Sequence, residues 1–287
     1  MTQDILSVIH SKMNTFSKSQ RRIASYILES YDKAAFQTAG VLGKTVQASE
    51  STVVRFAAQL GYDGYPEMQK ALQEIVLNRL TAPQRLEAGE NRMAQENVLS
   101  AVLRADAEHI RATLHTIDEA QFASAVEMLL AARSVYVIGA RASAPLATFL
   151  FYYLRYMLED VRLIGETSAS EALEQAARIS PQDALVGISF PRYCTVTVEA
   201  VRLASAAGAH TIALTDGVGS PIAKNADCLL LAGSNAISLI DSMTAPMSVI
   251  NALLVAVASR RKTETKQTFE KLEEIWDTYH VYEKNSK

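Results

Sequence analysis

The sequence predicts an all-α domain followed by an α/β domain with a doubly wound, five-stranded parallel sheet. Three observations carry that expectation. The first 80 residues hold amphipathic helical runs and nothing that reads as a strand; residues 81 to 97 turn polar and charged; and from Ser134 onward short β-rich runs alternate with helical segments. With 49% hydrophobic and 21% charged residues over 287 positions, the chain has enough apolar material for two cores of ordinary size.

The N-terminal helices are expected at Gln3 to Met13, Lys18 to Ser30, Thr38 to Val46, Glu50 to Leu60 and Pro66 to Leu80. Their junctions, among them Asn14-Thr15, Tyr31-Asp32-Lys33 and Gly61-Tyr62-Asp63-Gly64, are short enough to force the helices into one bundle. Residues 1–80 are therefore read as one domain, 81–97 as a linker and 98–287 as a second domain. Two amphipathic helices, Val98 to His115 and Asp118 to Ala131, lead into strands at Ser134 to Ile138, Val161 to Ile164, Ala184 to Phe190, His210 to Leu214 and Cys228 to Leu231. The final helix, Thr263 to Tyr282, spaces Phe269, Leu272, Trp276 and Tyr279 along one apolar face, either for packing within the chain or for an oligomer contact.

Composition excludes several classes. The first 35 residues carry Asp4, Lys12, Lys18, Arg21, Arg22, Glu29, Asp32 and Lys33, so no signal peptide is expected, and no later apolar run is long enough to span a membrane. A cytoplasmic protein is the expectation. Cys194 and Cys228 lack metal-ligand spacing and are read as reduced thiols; neither a metal nor a cofactor is expected. A net charge of −3 argues against indiscriminate coating of nucleic acid, but the charge is uneven: nine Lys/Arg oppose seven Asp/Glu in residues 1–80, and 19 oppose 24 in the remainder. That asymmetry permits DNA binding by the first domain.

The run Ser49 to Tyr62, SESTVVRFAAQLGY, can serve two ends. Ser49 is placed to cap the helix, with Glu50 favourable in its first turn, and Val53, Phe56, Ala57 and Leu60 share a face to be buried. Those features suffice for an ordinary core helix. The opposite edge, Glu50, Ser51, Thr52, Arg55 and Gln59, follows a short helix and the turn Gln47-Ala48-Ser49, which is the layout of a helix-turn-helix. Small residues at such an N-terminus can approach a DNA groove, Arg55 one turn on can reach a guanine edge or a phosphate, and Lys44 and Lys70 are candidates for flanking phosphates.

In a sheet of order 2-1-3-4-5, ligands bind beyond the carboxyl ends of the first and third strands. The loops there read Gly139-Ala140-Arg141-Ala142-Ser143-Ala144-Pro145 and Ser189-Phe190-Pro191-Arg192-Tyr193-Cys194-Thr195. Hydroxyls of Ser143, Ser189 and Thr195, the amides opening the next helices, and the Arg141 and Arg192 guanidinium groups could hold a phosphate, with Tyr193 beside them. The plain alternative is that Ser143 and Thr195 cap helices and the arginines are solvated.

FSKSQRRIASYILE, SESTVVRFAAQLGYDGYPEMQKAL and the strand-rich second half together resemble the RpiR family of bacterial transcriptional regulators. The resemblance implies an N-terminal helix-turn-helix and a C-terminal, flavodoxin-like sugar isomerase (SIS) domain that binds a phosphosugar through Ser143, Ser189 and Thr195. It further implies operator binding controlled by a sugar phosphate, genes of carbohydrate metabolism as targets, and a homodimer or homotetramer on a pseudo-palindromic site. Two departures stand out. TAGVLGKTVQA puts Gly40 and Gly43 in the first helix of the motif, each costing about 1 kcal/mol relative to alanine. Pro191 and Arg192 replace the second serine and the glycine of the enzyme-like loop Ser-x-Ser-Gly-x-Thr, which shifts phosphate coordination towards Arg192.

Two other functions compete. A phosphosugar isomerase or lyase needs a base over the sugar carbons, for which Glu166 and Glu171 are the candidates, since His210 opens a strand and His109 and His115 lie on the helix before the sheet. A nucleotide sensor is weakly supported, because Gly139-x-Arg141 is no GxGxxG.

Overall fold

The computed structural model describes residues 5–79, 83, 86, 97–165, 168–234 and 240–283. The chain divides into two compact units, the first comprising residues 1–98 with 235–241 and the second residues 99–234 with 242–287. All but three positions of the expected linker, 83, 86 and 97, fall outside the described residues.

The first unit is helical: α1 (Ile5–Ser11), α2 (Lys18–Glu29), α3 (Tyr31–Ala34), α4 (Ala39–Thr45), α5 (Glu50–Leu60) and α6 (Tyr65–Arg79), with a 3-10 turn at Met13–Thr15. Helix α2 opens on a capping box: Ser17 accepts from the Gln20 amide, and the Gln20 side chain accepts from the Ser17 amide. Tyr31-Asp32-Lys33, expected as a junction, forms a single helical turn instead. Its amides at Lys33 and Ala34 donate to the Ser30 carbonyl, and it buries Ala34 and Ala35. The carbonyls that its exit leaves over are taken up by α6, where Tyr65 and Gln69 both donate to Gln37 and Gln73 donates to Ala35. Burial pushes the Tyr65 hydroxyl up to about 12. The core is built on Ile9, Ile23, Ile27, Leu42, Phe56, Met68 and Leu72, all fully buried, and the Phe16 and Phe56 rings meet at 5.1 Å.

In the second unit α7 (Val98–Thr116) and α8 (Glu119–Ala131) precede a five-stranded parallel sheet, β1 (Val135–Gly139), β2 (Val161–Leu163), β3 (Ala184–Ile188), β4 (His210–Thr215) and β5 (Cys228–Leu231). The strand order is β2-β1-β3-β4-β5, so chain direction across the sheet reverses between β1 and β3. Every residue of β1 and β3 is buried, as a strand covered on both faces requires. On one face Val135, Val137, Val186 and Ile212 pack with α8, α9 (Ala144–Leu154) and α12 (Thr244–Arg260); on the other Tyr136, Ile138, Leu185 and Ala213 pack with α10 (Ala169–Ala176) and α11 (Thr195–Ala206). Gly187 lets α11 sit close, since a Cβ there would stand 2.5 Å from Val201 Cγ2 and 2.9 Å from Ile222 Cδ1. Helix α12 buries seven side chains, whereas α13 (Lys262–Thr278) buries none. On α13 the expected apolar face is only partly used: Phe269 leans on Tyr156 at 5.6 Å and Trp276 on Phe269 at 6.3 Å, but Tyr279 is 75% exposed.

Carboxylates fasten the amino ends of the strands. Asp183, before β3, takes two bonds from Arg133, before β1, and two from Ser180; Asp160 accepts from Ser134 and Arg162; Asp227 accepts from Thr211. Burial pushes the Asp183 carboxyl up, but the Arg133 and Ser180 donors outweigh it and hold the group below the usual carboxylate range. Because its folded pKa is depressed, its contribution is present above about pH 4 and is lost as pH falls further. Arg133→Ala is expected to cost about 2 to 3 kcal/mol at pH 7, less than a fully buried pair because water reaches the exposed guanidinium. It should also bring the acid loss of stability to higher pH. Urea melts at pH 7 and pH 4.5 check both; an unchanged midpoint at pH 7 rejects the role.

Candidate functional site

Two places gather the residues singled out in the sequence, one in each unit. In the first, α4 ends in a Schellman motif: the Ala48 amide donates to the Gly43 carbonyl at 2.8 Å, the Gln47 amide to Lys44 at 3.3 Å, and Gln47 takes the left-handed conformation at φ 54°. Gly43 is what the close turn needs, because a Cβ there would stand 2.7 Å from the Ala48 carbonyl oxygen. At Gly40 the corresponding clearance is 3.3 Å from the Glu50 carboxylate. Gly43, which counts against α4 as an isolated helix, is thus the price of packing the turn and α5 against it, whereas Gly40 faces only the end of a flexible side chain.

Ser49 then caps α5, accepting from the Thr52 amide at 3.3 Å, and its hydroxyl also meets those of Thr52 at 2.7 Å and Ser51 at 3.0 Å. Val53, Phe56, Ala57 and Leu60 are buried as expected. Lys44, Ser49, Glu50, Ser51 and Arg55 are exposed and Thr52 half-exposed, with Arg55 Nε resting on the Ser51 carbonyl at 3.2 Å. Gln59 differs. Its side chain accepts from Gln20 at 2.6 Å and its carbonyl from Lys12 at 3.0 Å, so it braces α5 against α2 instead of facing outward. Lys70 belongs to α6, but its side chain lies outside the described residues.

In the second unit the loops after β1 and β3 emerge side by side at the carboxyl edge, because those strands pair in register from Val135↔Ala184 to Gly139↔Ile188. The first loop is wound tightly over the strand end: a Cβ on Gly139 would stand 2.7 Å from the Ser143 carbonyl and 3.0 Å from Ala147 Cβ. Both loops contain an arginine in the left-handed region, Arg141 at φ 54° and Arg192 at φ 64°. That conformation is disfavoured for residues with a Cβ, and here it recurs at equivalent points of neighbouring loops. Arg192 therefore keeps the backbone shape that suits glycine, the residue it replaces in the enzyme-like loop.

Of the plain alternative, the solvated arginines stand, since Arg141 and Arg192 are both exposed, but the capping hydroxyls do not. Ser143 is buried at the N-cap of α9 and Cys194, not Thr195, holds the N-cap of α11; neither makes a side-chain cap bond. Thr195 is the exposed first residue of α11, and Ser189 is buried at the end of β3. The opening amides of α11 thus lack a side-chain cap, an arrangement suited to an anion, whereas α9 is entered through a 3-10 turn at Arg141–Ser143 in which the Ser143 and Ala144 amides donate to Ala140 and Arg141 and Pro145 has none to offer. Tyr193 donates to the Asp216 carboxylate at 2.9 Å, tying the β3 loop to the end of β4, where Thr215 also donates to Asp216 at 3.1 Å. Sequence reasoning missed Asp216 as a partner, since nothing in the chain pairs positions 23 apart on different loops. Thr197, in the first turn of α11, was missed as well: it is fully buried and its hydroxyl has no partner among the described residues.

Of the enzyme candidates, Glu171 sits exposed in the first turn of α10, with its amide capped by Ser168, and Glu166 lies outside the described residues. Among the described residues no group of His, Cys, Asp and Glu could hold a metal ion, and no helix is long and apolar enough to cross a membrane.

Residues 3–78 match the helix-turn-helix domain of the rpiR family and residues 128–256 match the SIS domain. The chain belongs to the RpiR family. An HTH-type transcriptional regulator of Caldanaerobacter subterraneus subsp. tengcongensis is 26% identical over 95% of this chain and 96% of its own length. The regulator HexR of Pseudomonas aeruginosa is 24% identical over 95% of each. Among solved structures, the sugar isomerase domain of an RpiR transcription factor from Sphaerobacter thermophilus has a TM-score of 0.60 at 28% identity, covering 62% of this chain and 99% of that one. The Vibrio vulnificus NanR protein complexed with ManNAc-6P has the same fold over 96% of this chain and 98% of its own, with a TM-score of 0.60 at 22% identity. The RpiR-family chain described here thus combines the helical unit and the SIS sheet in the order of these relatives.

Proposed function

We propose that this RpiR-family chain is a transcriptional regulator that binds a double-stranded operator through α5 and is controlled by a sugar phosphate held between the β1 and β3 loops. One observation carries the reading: a helix-turn-helix whose second helix leaves Ser49, Ser51, Thr52 and Arg55 facing outward shares a chain with a SIS sheet whose switch point offers the N-terminus of α11 without a side-chain cap, two buried serines and two exposed arginines. Lys44 and Lys70 are assigned to flanking phosphates and Glu50 to the edge of the groove; Gln59 is assigned to positioning α5. In the pocket, Ser143, Ser189 and Thr195 donate to phosphate, Arg141 and Arg192 supply charge, and Tyr193 shapes the wall through Asp216. A sugar phosphate as the effector class is supported by the ligand named for NanR. Target genes of carbohydrate metabolism and a cytoplasmic location belong to the same reading.

The SIS domain acts here as a sensor with no turnover, in keeping with relatives named as regulators. The expected assembly is a homodimer or homotetramer, supported by the apolar side chains that α7 exposes at Leu99, Leu103 and Leu114.

Fluorescence anisotropy of the full chain with duplexes tiled across its own upstream DNA, with and without a panel of sugar phosphates, tests the proposal. Saturable preference for one duplex, altered by one sugar phosphate, is expected; turnover of a phosphosugar without DNA preference would overturn it. Arg55→Ala is expected to weaken operator binding by about 1 to 3 kcal/mol without unfolding the chain. Unchanged affinity and salt dependence would remove Arg55 from the interface.

A further inference from the structure

A groove of about 900 Å³ lies in the first unit between α2 and the end of α4, lined by Lys18, Arg21, Arg22 and Tyr26 on one side and by Thr45 and Gln47 on the other. Lys18, Arg21 and Arg22 belong to neither of the two sites described above. They occupy three of five consecutive positions in the first turns of α2 and are exposed, while the sole acid lining the groove, Glu29, stands at the far end of the same helix.

Their charge is not used up within the unit. Among the described residues Arg21 and Arg22 donate to the Phe16 and Gln47 carbonyls and the Ser19 hydroxyl, all of them uncharged. Arg22 matters for placement. It donates to the Gln47 carbonyl at 2.6 Å, and Gln47 is the left-handed residue two positions before the Ser49 cap of α5. Arg22 is thereby fixed beside the turn that delivers α5, with Lys18 and Arg21 lining the same groove.

We propose that this groove takes the phosphodiester backbone of the duplex whose groove α5 enters, with Lys18 and Arg21 each contacting a phosphate and Arg22 holding the turn. The inference rests on the reading of α5 as a DNA-binding helix. Phosphate fits better than an apolar or acidic-peptide partner for two reasons. The lining is cationic with a single aromatic, Tyr26, and the chain as a whole is net negative, so a local concentration of arginine and lysine is what a polyanion would select. Backbone contacts of this kind fix orientation on the duplex and carry no sequence information.

The test is the salt dependence of binding, by anisotropy, for the full chain and for Lys18→Gln/Arg21→Gln, using the preferred duplex from the upstream tiling and a scrambled duplex of equal composition. Each phosphate contact contributes about 0.9 to the slope of log affinity against log salt, so the double variant should lose about 1.8 from it. Its affinity should fall on both duplexes alike, and the preference between them should persist. The charge-preserving variant Lys18→Arg/Arg21→Lys should keep the wild-type slope, which separates lost charge from a damaged helix. An unchanged slope in the glutamine variant, with wild-type preference intact, overturns the groove assignment while the reading of α5 stands. A wild-type chain that binds no duplex overturns both.

Discussion

Ser143→Ala combined with Ser189→Ala is expected to abolish the response to sugar phosphate while leaving operator affinity unchanged. Both side chains are buried at the carboxyl edge of the sheet, on loops that leave β1 and β3 at the point where strand order reverses. A hydrogen bond to a charged group contributes about 1.5 to 3 kcal/mol, so losing two should weaken the effector by about a hundredfold or more. Neither hydroxyl supports the fold in the way Ser17 or Ser49 does, since Ser143 makes no cap bond and Ser189 holds its strand through its amide, which donates to Leu214. The double variant should therefore melt close to wild type. Anisotropy of the preferred duplex, titrated with the active sugar phosphate, decides it: a normal response in the double variant would move the pocket away from the switch point.

Phe56→Ala is expected to cost about 3 to 5 kcal/mol and to remove DNA binding by loosening the first unit. Phe56 is fully buried on α5, packs on Phe16, and lies one residue from Arg55, so the same helix carries the core and the proposed reading edge. A loss of that size is a large share of the stability of an ordinary domain. Chemical denaturation followed by far-UV circular dichroism should show the helical unit melting early, and operator binding should vanish at temperatures where wild type still binds. Wild-type denaturation with binding lost would instead make Phe56 part of the interface and contradict its burial. Set beside Arg55→Ala, the pair separates the two uses of α5: one variant fails by unfolding, the other while folded.

Much of the fold was legible because its signals are local. The bounds of α5 were read at Glu50 and Leu60 from a serine cap and a 3.6-residue stripe, and β5 at Cys228 and Leu231 from a short apolar run, as the structure has them. The single turn at Tyr31–Ala34 reads as a junction in the sequence, because four residues give no periodicity and the carbonyls just after it, of Ala35 and Gln37, are satisfied by glutamines some thirty residues later. Gly43 shows a related limit. Helix propensity counts the cost of a glycine in an isolated helix, and only the packed turn displays the missing Cβ there as a requirement.

By itself the sequence determined two domains, the helix-turn-helix layout, the alternation that makes a parallel sheet, and the two hydroxyl-rich loops at its switch point, all of them read from the order and periodicity of residues along the chain. Tertiary structure alone decided which of those residues are available. It turned Gln59 inward onto Gln20, tied Tyr193 to Asp216, moved the cap of α11 to Cys194, set Arg141 and Arg192 in left-handed backbone, and opened the cationic groove beside α2. The physical reason is that periodicity reports which face of an element is apolar, whereas a side chain's partner depends on how elements cross. Gln20 and Gln59 meet across 39 residues of chain because two helices pack, a relation that no local pattern encodes.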